Sequence, residues 1–130
     1  MKRLRVAGFG DSIIDIFPQR GEEHLGGNSL NVAVFARRKG ADAAYVGVVG
    51  NDERGRRILG ALIVEGVGIA YVRVVPGETG WVLVELTDGD RAFVRGNRGG
   101  VTRSSPFRVD DMARRALAEF DLVHSSVYSA

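Results

Sequence analysis

Six consecutive residues and one carboxylate carry most of the chemistry this sequence can offer. Gly26-Gly27-Asn28-Ser29-Leu30-Asn31 sets two glycines before a helical run at residues 32–39, and Asp15 lies a short way upstream. The glycine pair takes the backbone past a point where a Cβ would obstruct it, and Asn28 and Asn31 fall three residues apart on one helix face. The first turn of a helix leaves N–H groups without internal partners and carries partial positive charge. With two carboxamides beside it, such a turn suits a polyhydroxylated or anionic small molecule. A structural reading stays open beside this one: a loop that needs glycine's dihedrals, with Asn28 as an N-cap. Carboxylates accept hydrogen bonds and carboxamides both donate and accept, so Asp15, Asn28 and Asn31 together make a cradle for sugar hydroxyls. These residues supply neither a general base for phosphoryl transfer nor a cradle for phosphate.

The elements that must position this cradle follow an α/β pattern. Residues 4–9 form an apolar run that ends in Gly10-Asp11, and residues 12–17 continue extended until Pro18 blocks further pairing. Asp11 and Asp15 bracket that strand end. Asp15 fits an exposed loop acid and a ligand contact equally well, since open α/β sheets bind ligands at strand ends; Asp11 is expected to hydrogen-bond its own turn. Residues 19–24 read as a polar loop or edge. After the helix stopped by Gly40 come a buried strand at residues 43–49, a turn at 50–55, and a helix opened by Asp52 and carrying Ile58, Leu59, Leu62 and Ile63. Strand, helix, strand, helix implies a parallel sheet with right-handed crossovers.

Three β-rich runs then break the alternation, at residues 69–75, 80–87 and 91–95, the last two joined by the hairpin signal Asp88-Gly89-Asp90. Trp81, Leu83 and Glu85 share one face of this hairpin; Val82, Val84 and Leu86 share the other. Lid strands are therefore expected at about 12–25 and 69–97, folding over the sheet edge or pairing with a second subunit. Residues 102–108 read as loop. A helix follows from Val109-Asp110-Asp111-Met112, with Met112, Ala116, Leu117 and Phe120 as its buried stripe, and then a strand at 122–128. A parallel strand is normally followed by a crossover, and the sequence stops at Ala130, so the chain is expected to be the front part of a larger fold.

Several classes are disfavoured by composition. A formal charge of +2 with scattered arginine pairs gives no basic stripe for nucleic acid. The N-terminus reads as neither a signal peptide nor a membrane span, and the absence of cysteine fits a reducing, cytoplasmic setting. Gly8-Phe9-Gly10 begins a dinucleotide fingerprint, but Ile13 stands where the third glycine belongs, and no P-loop occurs. His24 is expected on the surface and His124 at a strand end; neither has metal-pair spacing. The serine pairs 104–105 and 125–126 lack a visible base.

Gly26-Gly27, Asn31, Ala33, Gly40 and Gly50 stand at the spacing of the first signature of the ribokinase-like (PfkB) carbohydrate kinases, and the chain resembles the N-terminal part of that family. Ser29 departs from the family's Gly, Ala or Pro but is also small. Gly50-Asn51-Asp52-Glu53-Arg54-Gly55 and Gly10-Asp11 with Asp15 are similar to further family turns, and the hairpin at 81–95 sits where the family has its β lid. Residues 26–34, Phe17-Pro18-Gln19 and Asp121-Leu122-Val123-His124 look most like fructoselysine 6-kinases.

The resemblance implies a ribokinase-like α/β fold with a β-hairpin lid and an ATP- and Mg²⁺-dependent transfer of phosphate to a sugar hydroxyl. It implies a sugar site of Asp15, Gly26, Gly27, Asn28 and Asn31, with Arg95 and Asn97 as further contacts, and a homodimer through the lid as a possible assembly. It also places the catalytic Asp, the Gly-Ala-Gly-Asp-like anion hole and the ATP pocket in a C-terminal half that no residue here matches. The chain alone is then expected to be inactive. A non-catalytic sugar-binding or assembly module is the alternative.

Overall fold

The computed structural model describes residues 2–126, in which two four-stranded sheets share one core. In chain order the elements are β1 (Arg5–Gly10), β2 (Ile13–Phe17), β3 (Glu22–Gly26), α1 (Asn28–Arg38), β4 (Asp42–Gly50), α2 (Glu53–Val64), β5 (Val72–Val75), β6 (Trp81–Thr87), β7 (Asp90–Gly96), α3 (Val101–Ser104), α4 (Asp111–Ala118) and β8 (Leu122–His124). The first sheet has the order β5-β4-β1-β8, and every pairing in it is parallel. Its two longest strands are glycine- and valine-rich, and all of β4 after Asp42 is buried. Apolar runs of that kind fit strands covered on both faces.

The second sheet, order β3-β2-β6-β7, is the lid. β2 and β3 form an antiparallel pair, β6 and β7 form another, and β2 joins the two by running parallel to β6. The Asp88-Gly89 turn has φ of 51° and 84°, the paired positive values that match hairpin twist. Val94 is an extra residue in β7, where the register shifts between Leu83/Arg95 and Val84/Phe93. The lid is not a detached flap, because Ile14 of β2 is fully buried in the core with Leu30, Ala33, Tyr45, Val49, Ile58 and Leu62, and Trp81 packs against that cluster.

Four local expectations are corrected. Residues 72–75 do not belong to the lid: they pair in parallel with Gly47–Gly50 of β4 and extend the main sheet, because the α2 crossover delivers them to its edge. Residues 22–26, within the lid segment expected at about 12–25, form its edge strand, since a lid edge needs only one covered face. Residues 101–104 form a short helix within the segment read as loop. In α4, Ala113 and Ala116 are buried while Met112 is 74% exposed, so the helix is rotated from the expected stripe and seats its small residues inward. The expected strand at 122–128 ends at His124, and residues 127–130 lie outside the described residues.

α1 can lie directly on β1 because Gly8 has no side chain: a Cβ there would overlap the Ser29 carbonyl oxygen and reach within 3.3 Å of the Ala33 Cβ. Gly8→Ala is therefore expected to cost at least about 2 kcal/mol in urea unfolding, as backbone must move to admit a methyl group. Gly60, in the middle of α2 with open space around its Cβ direction, gives the opposite sign. Gly60→Ala is expected to gain about 0.5–1 kcal/mol in the same measurement.

Candidate functional site

The site is built where β1 ends and α1 begins. Tyr45, fully buried on β4, donates its hydroxyl to the Gly10 carbonyl at 2.6 Å. Burial pushes the pKa of this phenol well up, so it remains a neutral donor. One residue later the Asp11 carboxylate accepts from the backbone N–H of Asn28 at 2.8 Å and of Ser29 at 3.1 Å. The Ser29 hydroxyl lies 2.8 Å from Asp11 Oδ1 and 2.8 Å from the Phe9 carbonyl, and the Ser126 hydroxyl lies 3.1 Å from the same carboxylate. Asp11 thus caps α1 from another strand, not its own turn, and Asn28 is the first helical residue rather than the cap.

This settles what the glycine turn can receive. The positive end of α1 already holds an internal carboxylate, so an anionic ligand has no vacant N–H groups there. At α2 and α4 an aspartate caps one N–H of the first turn: Asp52 accepts from Gly55 N–H at 2.8 Å and Asp110 from Ala113 N–H at 2.8 Å. Among the described residues no group of three or more His, Cys, Asp or Glu is placed to hold a metal ion. The start of α1, where Asp11 holds the N–H groups of Asn28 and Ser29, is therefore no phosphate cradle. No described helix is long and apolar enough to cross a membrane.

What remains is a groove of ≈ 550 Å³ on which Asp15 and Asn31 converge, with Phe17 and Phe35 as aromatic walls and His24 and Arg91 also lining it. Its volume falls in the range of small-molecule sites, about 300–1,000 Å³. Asp15 comes from β2, Asn31 from the first turn of α1, and Arg91 from the β6–β7 hairpin that reaches over from the lid. Gly26 lies beside Asp15: a Cβ on it would be 2.7 Å from Asp15 Oδ2, so the glycine leaves space for the carboxylate. Half-burial raises the Asp15 pKa, and the charges of Arg91 and His24 only partly oppose it. His24 is exposed as expected, yet it sits on this groove, bonded to Glu22 at 2.9 Å and edge-on to Phe17.

The other expected residues separate. Gly27, with φ of 102°, serves the close passage of the chain past Asp11 and Ser12. Asn28 is exposed and does not line the groove. Arg95 lines a different depression of ≈ 300 Å³ with Ile13 and Trp81. The Asn97 carboxamide is committed to backbone: it accepts from Trp81 N–H at 2.9 Å and donates to the Thr79 carbonyl at 3.0 Å, bracing the root of the hairpin. Phe17, Arg20, His24 and Arg91 are groove residues that sequence reasoning missed, because they meet only once both lid segments are in place.

Two ties hold the lid to the body. Asp52 caps α2 and also accepts from the Thr79 N–H at 2.8 Å and the Thr79 hydroxyl at 2.7 Å, and the Thr79 oxygen in turn accepts from Gly50 N–H at 2.9 Å. Glu23 on β3 pairs with Arg54 at 3.3 Å and Arg57 at 2.7 Å on α2. Burial works to raise the Asp52 pKa, but hydrogen bonds from Thr79 and Gly55 outweigh it and leave the group lowered.

The two carboxylates then have opposite signs in stability. A lowered carboxyl stabilises the fold above its unfolded pKa of about 3.9, and that contribution is lost as pH falls through the lower folded value. Asp52→Ala is expected to cost about 1–2 kcal/mol at pH 7, and less in strong acid, when unfolding is followed across pH. A raised carboxyl costs stability above its folded pKa, and the cost vanishes below about 3.9. Asp15→Asn is therefore expected to leave Tm unchanged or raise it at pH 7, with the difference shrinking toward pH 3.

Comparison with known proteins agrees with this architecture. Residues 14–129 match the pfkB family of carbohydrate kinases. The chain is 38% identical over 127 residues to fructosamine kinase FrlD of Bacillus subtilis (strain 168), covering 97% of the chain and 45% of that protein. It is 33% identical over 123 residues to fructoselysine 6-kinase of Escherichia coli (strain K12), covering 95% of the chain and 46% of the relative. The structure of fructokinase with bound ATP from Xylella fastidiosa superposes with a TM-score of 0.80 at 25% identity, over 93% of this chain and 38% of that one. The chain thus spans somewhat under half the length of these relatives. A parallel sheet flanked by helices, a second sheet as lid, and the match over residues 14–129 lead to one conclusion: the chain belongs to the pfkB family of carbohydrate kinases.

Proposed function

We propose that the groove at Asp15 binds the sugar of an ATP-dependent carbohydrate kinase, with fructosamines such as fructoselysine as the substrate class. The observation that carries this reading is the meeting of Asp15 and Asn31 under the β6–β7 hairpin. A half-buried carboxylate accepts sugar hydroxyls, the carboxamide donates and accepts beside it, and the aromatic walls take the apolar ring face. The hairpin excludes water from the bound sugar. The relatives named as fructosamine and fructoselysine kinases support the substrate class. ATP, Mg²⁺ and the catalytic base fall to residues outside the described part, and the setting is cytoplasmic.

The 130-residue chain is expected to give no ATP-dependent phosphorylation of fructoselysine, and the chain joined to a C-terminal half of the family is expected to restore it. Turnover by the short chain alone overturns this division. In the joined form, Asn31→Ala is expected to lower kcat/KM about 10-fold or more through the lost hydroxyl contacts. Micromolar sugar binding by the short chain, abolished by Asn31→Ala and with no turnover in the joined form, favours a non-catalytic binding module.

The lid also supports self-association. β7 is exposed along its whole length, with Phe93 71% and Val94 55% accessible. Two copies pairing through this surface would cover it. Sedimentation is expected to show a dimer that Phe93→Asp converts to monomer; a wild-type monomer overturns the pairing.

A further inference from the structure

The Asp15 groove holds more positive charge than a neutral sugar requires. Arg20 and Arg91 both line it, against the single carboxylate of Asp15. The fourth titratable group, His24, is bonded to Glu22. Several arginines have carboxylate partners (Arg54 and Arg57 share Glu23, Arg38 pairs with Glu65, and Arg73 with Asp110), so position on the groove, and not the lack of a partner alone, sets Arg20 and Arg91 apart. Among the described residues neither Arg20 nor Arg91 makes such an ion pair. The Arg91 guanidinium instead lies 5.8 Å from the centre of the Phe17 ring, which holds it over the groove. Arg91 stands opposite Leu86 next to the hairpin turn, and both residues of that pair, with Gly89, line the same groove. The Gln19 carboxamide fixes this end of the hairpin by bonding both the N–H and the carbonyl of Leu86, at 2.9 and 3.3 Å. The two cations are thus delivered to the groove by braced lid segments.

A carboxylate and a carboxamide account for hydroxyl recognition; two guanidiniums do not. Guanidinium matches planar anions through paired N–H donors. A fructosamine formed on an amino acid carries one such anion, the carboxylate of its amino-acid part. We propose that Arg20 and Arg91 form a specificity subsite for that carboxylate, adjoining the hydroxyl cradle of Asp15 and Asn31. The proposal rests on the sugar-binding reading and goes beyond it by assigning which residues distinguish a glycated amino acid from a plain hexose.

Calorimetric titration of the chain with fructose, fructosylglycine and fructosylglycinamide separates the two. Fructosylglycine is expected to bind about tenfold more tightly than its carboxamide, the worth of one charge-assisted contact. Arg91→Gln and Arg20→Gln are each expected to pull that ratio toward one, with Arg91→Lys retaining part of it. Equal binding of acid and amide by the wild type overturns the carboxylate subsite while leaving the hydroxyl cradle standing. A tenfold ratio that survives in both glutamine variants places the carboxylate elsewhere and overturns the assignment. Failure of all three ligands to bind overturns the cradle and the subsite together.

Discussion

The Asp11 carboxylate joins three parts of the chain that are far apart in sequence: the end of β1, the start of α1 and Ser126 beyond β8. Its position fixes how α1 enters the structure, and α1 in turn fixes Asn31. Tyr45 reinforces the junction from below by holding the Gly10 carbonyl. Gly8 lets the helix descend onto the strand. Removing the charge of Asp11 would leave two backbone N–H groups at the start of α1 without an anionic acceptor, so the geometry of the groove depends on a residue that does not line it.

Helix starts filled from within also explain the division of chemistry between residues. Asp11 takes two N–H groups at the start of α1, and Asp52 and Asp110 each cap their own helix. Asp15 instead lies half-buried on the groove, and burial holds its pKa up. The same comparison separates Asn31, which faces the groove, from Asn97, whose amide is already committed to backbone.

Much of this was readable from residue order. Alternating apolar runs and helical stripes gave the parallel sheet, and Asp88-Gly89 gave the hairpin, because both are local signals. The cradle was readable as a list of residue types but not as a set. Nothing local distinguishes Asn28 from Asn31; the fold places Asn31 on the groove with Asp15 and leaves Asn28 off it. β3 was readable as loop or lid edge, because Glu22, Glu23 and His24 are polar residues that an edge strand tolerates. Residues 72–75 looked like lid because strand propensity does not record which sheet a strand joins. Arg20 and Arg91 were invisible as groove residues, since β2 and the β6–β7 hairpin meet only in three dimensions.

The parallel pairing of β2 with β6 carries a consequence for how the molecule assembles. One half of the lid is made before α1 and the other after β5, so α1, β4, α2 and β5 all lie in the loop that the β2–β6 contact closes. Such a contact forms only after a large loss of chain entropy and favours late closure. The lid is therefore not a transplantable insertion. A graft of the hairpin alone carries β6 and β7 without the strand they lean on, and moving the lid between relatives means moving the body with it.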